Sequence, residues 1–175
     1  MIKRHPNLFI KLLLVILLVL LLFFVIKIPV EAQQNNYYAT KTYEYLTQRN
    51  FSSAAACGII GNMMIETSGG TLDLKPYVYS PSGNFYGLCQ WSVKYYSGAK
   101  DLPFEHQLDY LLGTLPWEFK TFGWLYKEGF DFEDFIVMTD PEEAALAFAV
   151  VYERCGPASY GLRQEAARKA YEYFS

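Results

Sequence analysis

From Leu12 to Ile26 the chain reads LLLVILLVLLLFFVI, without one polar position, and nothing downstream resembles it. After residue 35 polar and apolar residues alternate with helical rather than strand periodicity. Asn35 to Asn50, NNYYATKTYEYLTQRN, predicts a first helix with Tyr38, Tyr45 and Leu46 among its apolar positions and Asn50 as its stop. FSSAAACGIIGNMMIET predicts a second helix, with Ser52 or Ser53 as N-cap and an alanine-rich first turn. Gly58 and Gly61 inside it lower helix propensity by about 1 kcal/mol each relative to Ala. Glycines in such places point to close packing against another backbone, and so to a buried central helix, which Gly69-Gly70 ends. Thr71 to Ser92 is rich in Pro, Gly, Ser, Asn and aromatics, which predicts short extended segments, turns and a small hairpin around Pro81 to Asn84. Helical spacing resumes in PFEHQLDYLLGTL, Pro103 to Leu115, with Leu108, Leu111 and Leu112 on one stripe. Pro116 and Gly123 are expected to interrupt PWEFKTFGWLYKEGF, the stretch directly after it. At TDPEEAALAFAVVYER, Asp140 caps, Pro141 takes the first helical position and Glu143 completes an Asp-x-x-Glu pattern. Gly156-Pro157 stops that helix, and Tyr160 to Phe174 forms a last amphipathic one. The fold class expected is mainly α, of an α+β kind, with a small strand-and-loop insert after the second helix.

The apolar run divides the chain into residues 1–32 and a domain over 33–175. Lys3, Arg4 and Lys11 precede the run, and Val30 and Ala32 form a small-residue pattern before Gln33. These are the parts of a secretory signal peptide. The run is also close to the roughly twenty apolar residues that span a bilayer, with Lys11 and Lys27 placed to snorkel, so an uncleaved signal-anchor stays open. Either way the basic end stays inside and the domain works outside the cytoplasm, secreted or held at the membrane by one N-terminal helix. Removing the segment's four basic residues and one acid from the chain's 15 and 18 leaves 11 and 17, a formal net charge of −6. A domain so charged lacks the basic footprint of a nucleic-acid binder. A polymer it handles must be gripped by shape, hydrogen bonds and stacking. Cys57, Cys89 and Cys155 form no C-x-x-C pair, and the domain's one histidine is His106. That is no zinc site, and no metal or other cofactor is expected.

Glu66 is the residue out of place. It closes an apolar helix, where the partial negative charge of the helix end disfavours a carboxylate by about 0.3–1 kcal/mol. Burial beside Met63 and Met64 would act in the same direction, toward a proton held near neutral pH. A neutral carboxylic acid at the mouth of a cleft is what a glycosidase uses to protonate a leaving oxygen. The plainer alternative is an exposed helix-end glutamate. In NFYGLCQWS, Asn84 to Ser92, Gly87 would admit a ligand close to the backbone, Gln90 offers an amide, and Tyr86 and Trp91 offer stacking faces for sugar rings. The alternative there is a turn entering an aromatic core.

Four motifs in order change the balance: AAACGIIGNMMIET (54–67), YGLCQWS (86–92), FEHQLDYL (104–111) and AALAFAVVYERCG (144–156). In order and spacing the chain resembles the phage-tail-lysozyme group of peptidoglycan hydrolases, within the lysozyme-like superfamily of goose-type lysozymes and lytic transglycosylases. The resemblance runs roughly from Tyr37 to Phe174. It implies a lysozyme-like fold, peptidoglycan glycan strands as substrate, and Glu66 as general acid. It further implies that Gln90, with Tyr86 and Trp91, shapes the glycan cleft and that Tyr152 and Glu153 lie at its edge or support it. Thr67 stands where the group usually has Ser, and SGGTLDLKP departs from the usual segment. Cys155 replaces a frequent Pro, which motivates a Cys89–Cys155 disulfide.

An inverting hydrolase needs a second carboxylate about 6.5–9.5 Å from the acid, and a retaining one needs it at about 5–5.5 Å. Asp73 is the nearest candidate in sequence, with Glu153 behind it, and Asp73 as a plain turn residue is the alternative. A lytic transglycosylase needs neither, because the C6 hydroxyl of the sugar attacks. The reading is a monomeric muramidase cleaving the β-1,4 bond between N-acetylmuramic acid and N-acetylglucosamine. Its rivals are a transglycosylase, a wall-binding module that has lost turnover, and a peptidase using Cys57 with His106 as base.

Overall fold

The computed structural model describes residues 36–175, so the expected N-terminal helix and its signal or anchor role lie outside the described residues. Among those described, no helix is long and apolar enough to cross a membrane. The order is α1 (Tyr37–Thr47), α2 (Ser53–Ser68), β1 (Phe85–Tyr86), β2 (Trp91–Ser92), α3 (Phe104–Phe122), α4 (Phe132–Ile136), α5 (Pro141–Phe148) and α6 (Tyr160–Phe174). The fold is mainly helical, as expected, with a two-stranded hairpin as the insert after α2.

Helix α2 is the axis of the described domain. Its N-cap is Ser52, whose hydroxyl accepts from the Ala55 N–H at 2.9 Å. Every residue from Ala54 to Met64 is buried, as befits a helix apolar on all sides. The two glycines act as the sequence predicts. A Cβ on Gly58 would stand 2.7–2.8 Å from the side chain and backbone of Ala144 on α5. One on Gly61 would stand 2.5 Å from the backbone nitrogen of Ala167 on α6. Three helices thus meet at backbone distance around α2. At its end Gly69 turns left-handed (φ 63°), and the Gly70 N–H returns to the Met64 carbonyl at 2.9 Å.

Pro116 does not interrupt its helix. Helix α3 runs through it to Phe122, at the cost of the bond Pro116 cannot donate to the preceding turn. Packing carries the helix past that point: Leu108, Leu111, Leu115 and Phe119 are all buried along one face. Gly123 stands at the end of α3, as expected, and no larger residue fits there, because a Cβ would lie 1.9 Å from the Phe130 carbonyl oxygen. Asp140 caps α5 as expected, accepting from Glu142 N–H at 2.8 Å and Glu143 N–H at 3.2 Å. The other half of the expected capping pair is absent, because Glu143 accepts instead from the Tyr126 hydroxyl at 2.7 Å.

Beyond Phe148 the expected long helix widens into a π-helical turn, Ala149–Glu153, ending at Arg154 with φ 49°. Such turns are rare and cluster at functional sites. This one is moored from two sides. Arg154 forms a salt bridge with buried Glu118 of α3, which also accepts from the Tyr96 hydroxyl at 3.0 Å. Tyr152 stacks on Phe148 with ring centres 4.8 Å apart.

The segment between α2 and α3 is held by Gln107, fully buried on α3. Its carbonyl accepts from Leu88 N–H at 2.9 Å, and its amide donates to Pro76 O at 2.7 Å and Leu102 O at 2.9 Å. Tyr79 bridges Tyr86 across a turn in which Gly83 N–H meets Ser80 O at 2.8 Å, so the hairpin expected around residues 81–84 is present.

Candidate active site

Helix α2, the hairpin and the π-turn converge on a cavity of about 400 Å³, a size in the range of small-ligand sites. Glu66 lines it from the end of α2, Gln90 from the β1–β2 loop and Glu153 from the π-turn. The sequence had marked all three, and tertiary structure brings them together. Gln90 adopts φ 45° and donates its amide to Gly87 O at 3.0 Å and Val78 O at 3.2 Å, which fixes it against the hairpin. Thr67, beside Glu66, receives Lys75 N–H on its hydroxyl at 3.3 Å, so this hydroxyl steadies the loop after α2.

Of the aromatic residues expected to shape the glycan cleft or support its edge, Tyr86, Trp91 and Tyr152, none lines the cavity. Tyr86 and Trp91 are each 4% exposed and Tyr152 is 6% exposed, so none offers a face to a sugar. Trp91 Nε1 donates to the Tyr152 hydroxyl at 2.9 Å, and that hydroxyl also meets Thr114 Oγ1 at 2.9 Å. Strand alternation accounts for Tyr86: in β1 it is Phe85, 43% exposed, that faces outward while Tyr86 turns in. Phe85 and Tyr79 line the cavity instead, Tyr79 with its hydroxyl bonded to Asp101 and its ring centre 4.7 Å from that of Tyr86. Gly87 (φ 80°) is close-packed for a different reason than ligand access, since its Cβ position is filled by Gln107 Oε1 at 2.5 Å.

Asp73 pairs with Lys75 on the surface and does not line the cavity. Glu153 does, and its Oε1 is buried without a hydrogen-bond partner. Burial first, and then the negative charge of Glu66, push the Glu153 carboxyl up to about 8, against the opposing pull of Arg163. Burial and the charge of Glu66 both favour the protonated form of Glu153.

Arg163 on α6 is the residue that sequence reading missed. It is 4% exposed and forms a salt bridge with Glu66. Its Nη1 donates to Asn62 Oδ1 at 2.9 Å, and Asn62 Nδ2 is itself bound to Gly58 O at 2.9 Å and Ala145 O at 3.0 Å. A buried guanidinium therefore faces Glu66 at the end of α2. An arginine in an otherwise small-residue helix face (Ala166, Ala167, Ala170) was the available signal.

The cysteines are free. The proposed Cys89–Cys155 bond is not formed, although both residues line the cavity: Cys155 Sγ lies 3.7 Å from Ala149 O and 3.4 Å from Ser159 Oγ. Cys57 is fully buried, and burial pushes its thiol up to about 12. A group that stays protonated in the core is no nucleophile, which removes the Cys–His peptidase. Among the described residues no group of three or more His, Cys, Asp or Glu is placed to hold a metal.

The family model described as phage tail lysozyme matches residues 38–174. No curated protein matches the chain.

Proposed function

The chain belongs to the phage tail lysozyme family, and on that footing we propose that it is a muramidase cleaving the β-1,4 bond between N-acetylmuramic acid and N-acetylglucosamine, with Glu66 as general acid. Membership implies a peptidoglycan-lytic, lysozyme-like activity with peptidoglycan as substrate. The observation that carries the finer reading is the convergence of two carboxyl groups, Glu66 and Glu153, on one cavity. Paired carboxyls with divergent environments are the pattern of glycosidic acid–base chemistry. Glu153 is the second carboxyl in this reading. Asp73, tied to Lys75 outside the cavity, supports the loop after α2. Phe85 and Tyr79 take the stacking role first given to Tyr86 and Trp91, and Gln90 shapes the floor. The enzyme acts as a monomer outside the cytoplasm, secreted or held by its N-terminal segment.

Glu153 also favours a second reading. A carboxyl whose surroundings favour its protonated form is a poor starting base for water, and a lytic transglycosylase needs no second carboxylate. Mass spectrometry of the soluble products from purified peptidoglycan separates the two. Reducing-end muropeptides support hydrolysis and 1,6-anhydro ends support transglycosylation. Either product must vanish with Glu66→Gln and persist with Asp73→Asn. No product from a folded wild type would leave a wall-binding module.

A further inference from the structure

A general acid must carry a proton at the moment of bond cleavage, yet Glu66 sits in a salt bridge with a buried arginine. A second carboxyl in the same cavity can keep that proton between turnovers. Glu153 lines the same cavity, with one oxygen buried and unpartnered. We propose that Arg163 is a positioning residue that, pinned by Asn62, holds the single negative charge of the Glu66–Glu153 pair on Glu66, so that the pair's one proton rests on Glu153. The inference builds on the reading of Glu66 as the acid.

Geometry supports it at each link. Asn62 spends its amide hydrogens on two backbone carbonyls, one of its own helix and one of α5, which leaves its oxygen aimed at Arg163 Nη1. Arg163 Nε reaches Ser159 Oγ at 3.3 Å, so the guanidinium is held from both sides. A planar fork fixed in this way directs its remaining nitrogen, Nη2, at Glu66 Oε1. The groups around Glu153 are Glu66 from α2, Arg163 from α6, the Cys89 thiol from the hairpin loop and Arg154 beside it in the chain. Of these the buried Arg163 is the cation that contacts Glu66. Burial keeps the Cys89 thiol well above its ordinary range, so it remains neutral and takes no part in the charge balance.

The proton balance closes over one turnover. Glu153 gives its proton to Glu66, and Glu66 gives it to the glycosidic oxygen as the bond from that oxygen to C1 breaks. Glu153, now a carboxylate, accepts a proton from the attacking hydroxyl, water or the sugar's C6 hydroxyl, whose oxygen bonds to C1. The pair ends as it began, with one proton on Glu153 and the charge back against Arg163.

The test is the pH dependence of kcat/KM for the full-length chain in mild detergent on purified peptidoglycan. Activity requires the singly protonated pair, which gives a bell. Removing the cation with Arg163→Gln raises both limbs, and the bell moves alkaline by about one unit or more. Arg163→Lys keeps the charge but not the fork, so the bell stays in place and its height falls. A lower bell at an unchanged position in the Gln variant would overturn the proposal, because a merely structural arginine changes height alone. Carbon-13 carboxyl titration of the wild type tests where the pair's proton rests even if Arg163→Gln does not fold. The highest-titrating carboxyl must disappear in Glu153→Gln, and its persistence there would refute the assignment. Failure of the Glu66 reading is separate and would show as activity surviving Glu66→Gln.

Discussion

Gly61→Ala tests whether backbone contact between α2 and α6 holds the site together. The added methyl would lie 2.5 Å from Ala167 N, 2.6 Å from its Cα and 2.7 Å from its Cβ. Ordinary contacts of this kind are 3.4–4 Å, so the helices must part by about 1 Å. Two of the three neighbours are backbone atoms, and no rotamer change relieves them. Overpacking a core costs about 1–3 kcal/mol, and a rigid backbone contact belongs at the upper end. Replacing Gly by Ala in a helix returns about 1 kcal/mol. The net expectation is a loss of about 2 kcal/mol, or roughly 4–8 °C in Tm for a domain of this size. Gly113→Ala is the internal control: it lies exposed in α3 with nothing within 4 Å of its Cβ position, so only the propensity gain applies. Urea unfolding of both variants should give shifts of opposite sign. The same displacement would draw Arg163 away from Glu66 and Asn62, so activity of the folded Gly61 variant should fall further than its folded fraction. Two shifts of the same sign, or a neutral Gly61→Ala, would refute the close-packing argument.

Glu153 makes stability depend on pH. Its folded value of about 8 lies above the ordinary 4.5, so between these the folded chain holds a proton that the unfolded chain has released. Stability then falls as pH rises through that window, by up to about 1.4 kcal/mol per unit. In calorimetry Glu153→Gln should become progressively more stable than wild type from about pH 5 to 8, and parallel curves would contradict the assignment. Phe85→Ala should raise KM for peptidoglycan roughly five-fold, about 1 kcal/mol, with kcat little changed; a fall in kcat alone would place the ring outside the binding surface. Tyr152→Phe should destabilise by about 1–2 kcal/mol in denaturant titration, since Trp91 Nε1 loses its buried acceptor. Its KM should not change, and a raised KM would return Tyr152 to the cleft.

Much of this protein was legible along the chain, where the cause lies within a few residues. Ser52 and Asp140 cap because a short polar side chain reaches amides two or three positions ahead. Gly69-Gly70 ends α2 because a left-handed residue there lets Gly70 return to Met64. The spacing of Gly58 and Gly61 marked a helix packed at backbone distance, and the end of that helix fixed where Glu66 would stand. Such features depend on local sterics and hydrogen bonding, which sequence states directly.

The rest came from contacts made across the fold. Pro116 breaks a local rule and is overruled by the buried stripe from Leu108 to Phe119. The face of a two-residue strand depends on what it packs against, so Phe85 rather than Tyr86 came to line the cavity. The π-turn that carries Glu153, and the burial that keeps its proton, arise from contacts with α3 and the hairpin rather than from VVYER itself. Arg163 meets Glu66 across 97 residues of chain. The charge on a carboxyl is set by whichever groups folding brings within a few ångströms of it. Local order along the chain placed a carboxyl at the end of the central helix, and long-range packing chose the arginine that meets it.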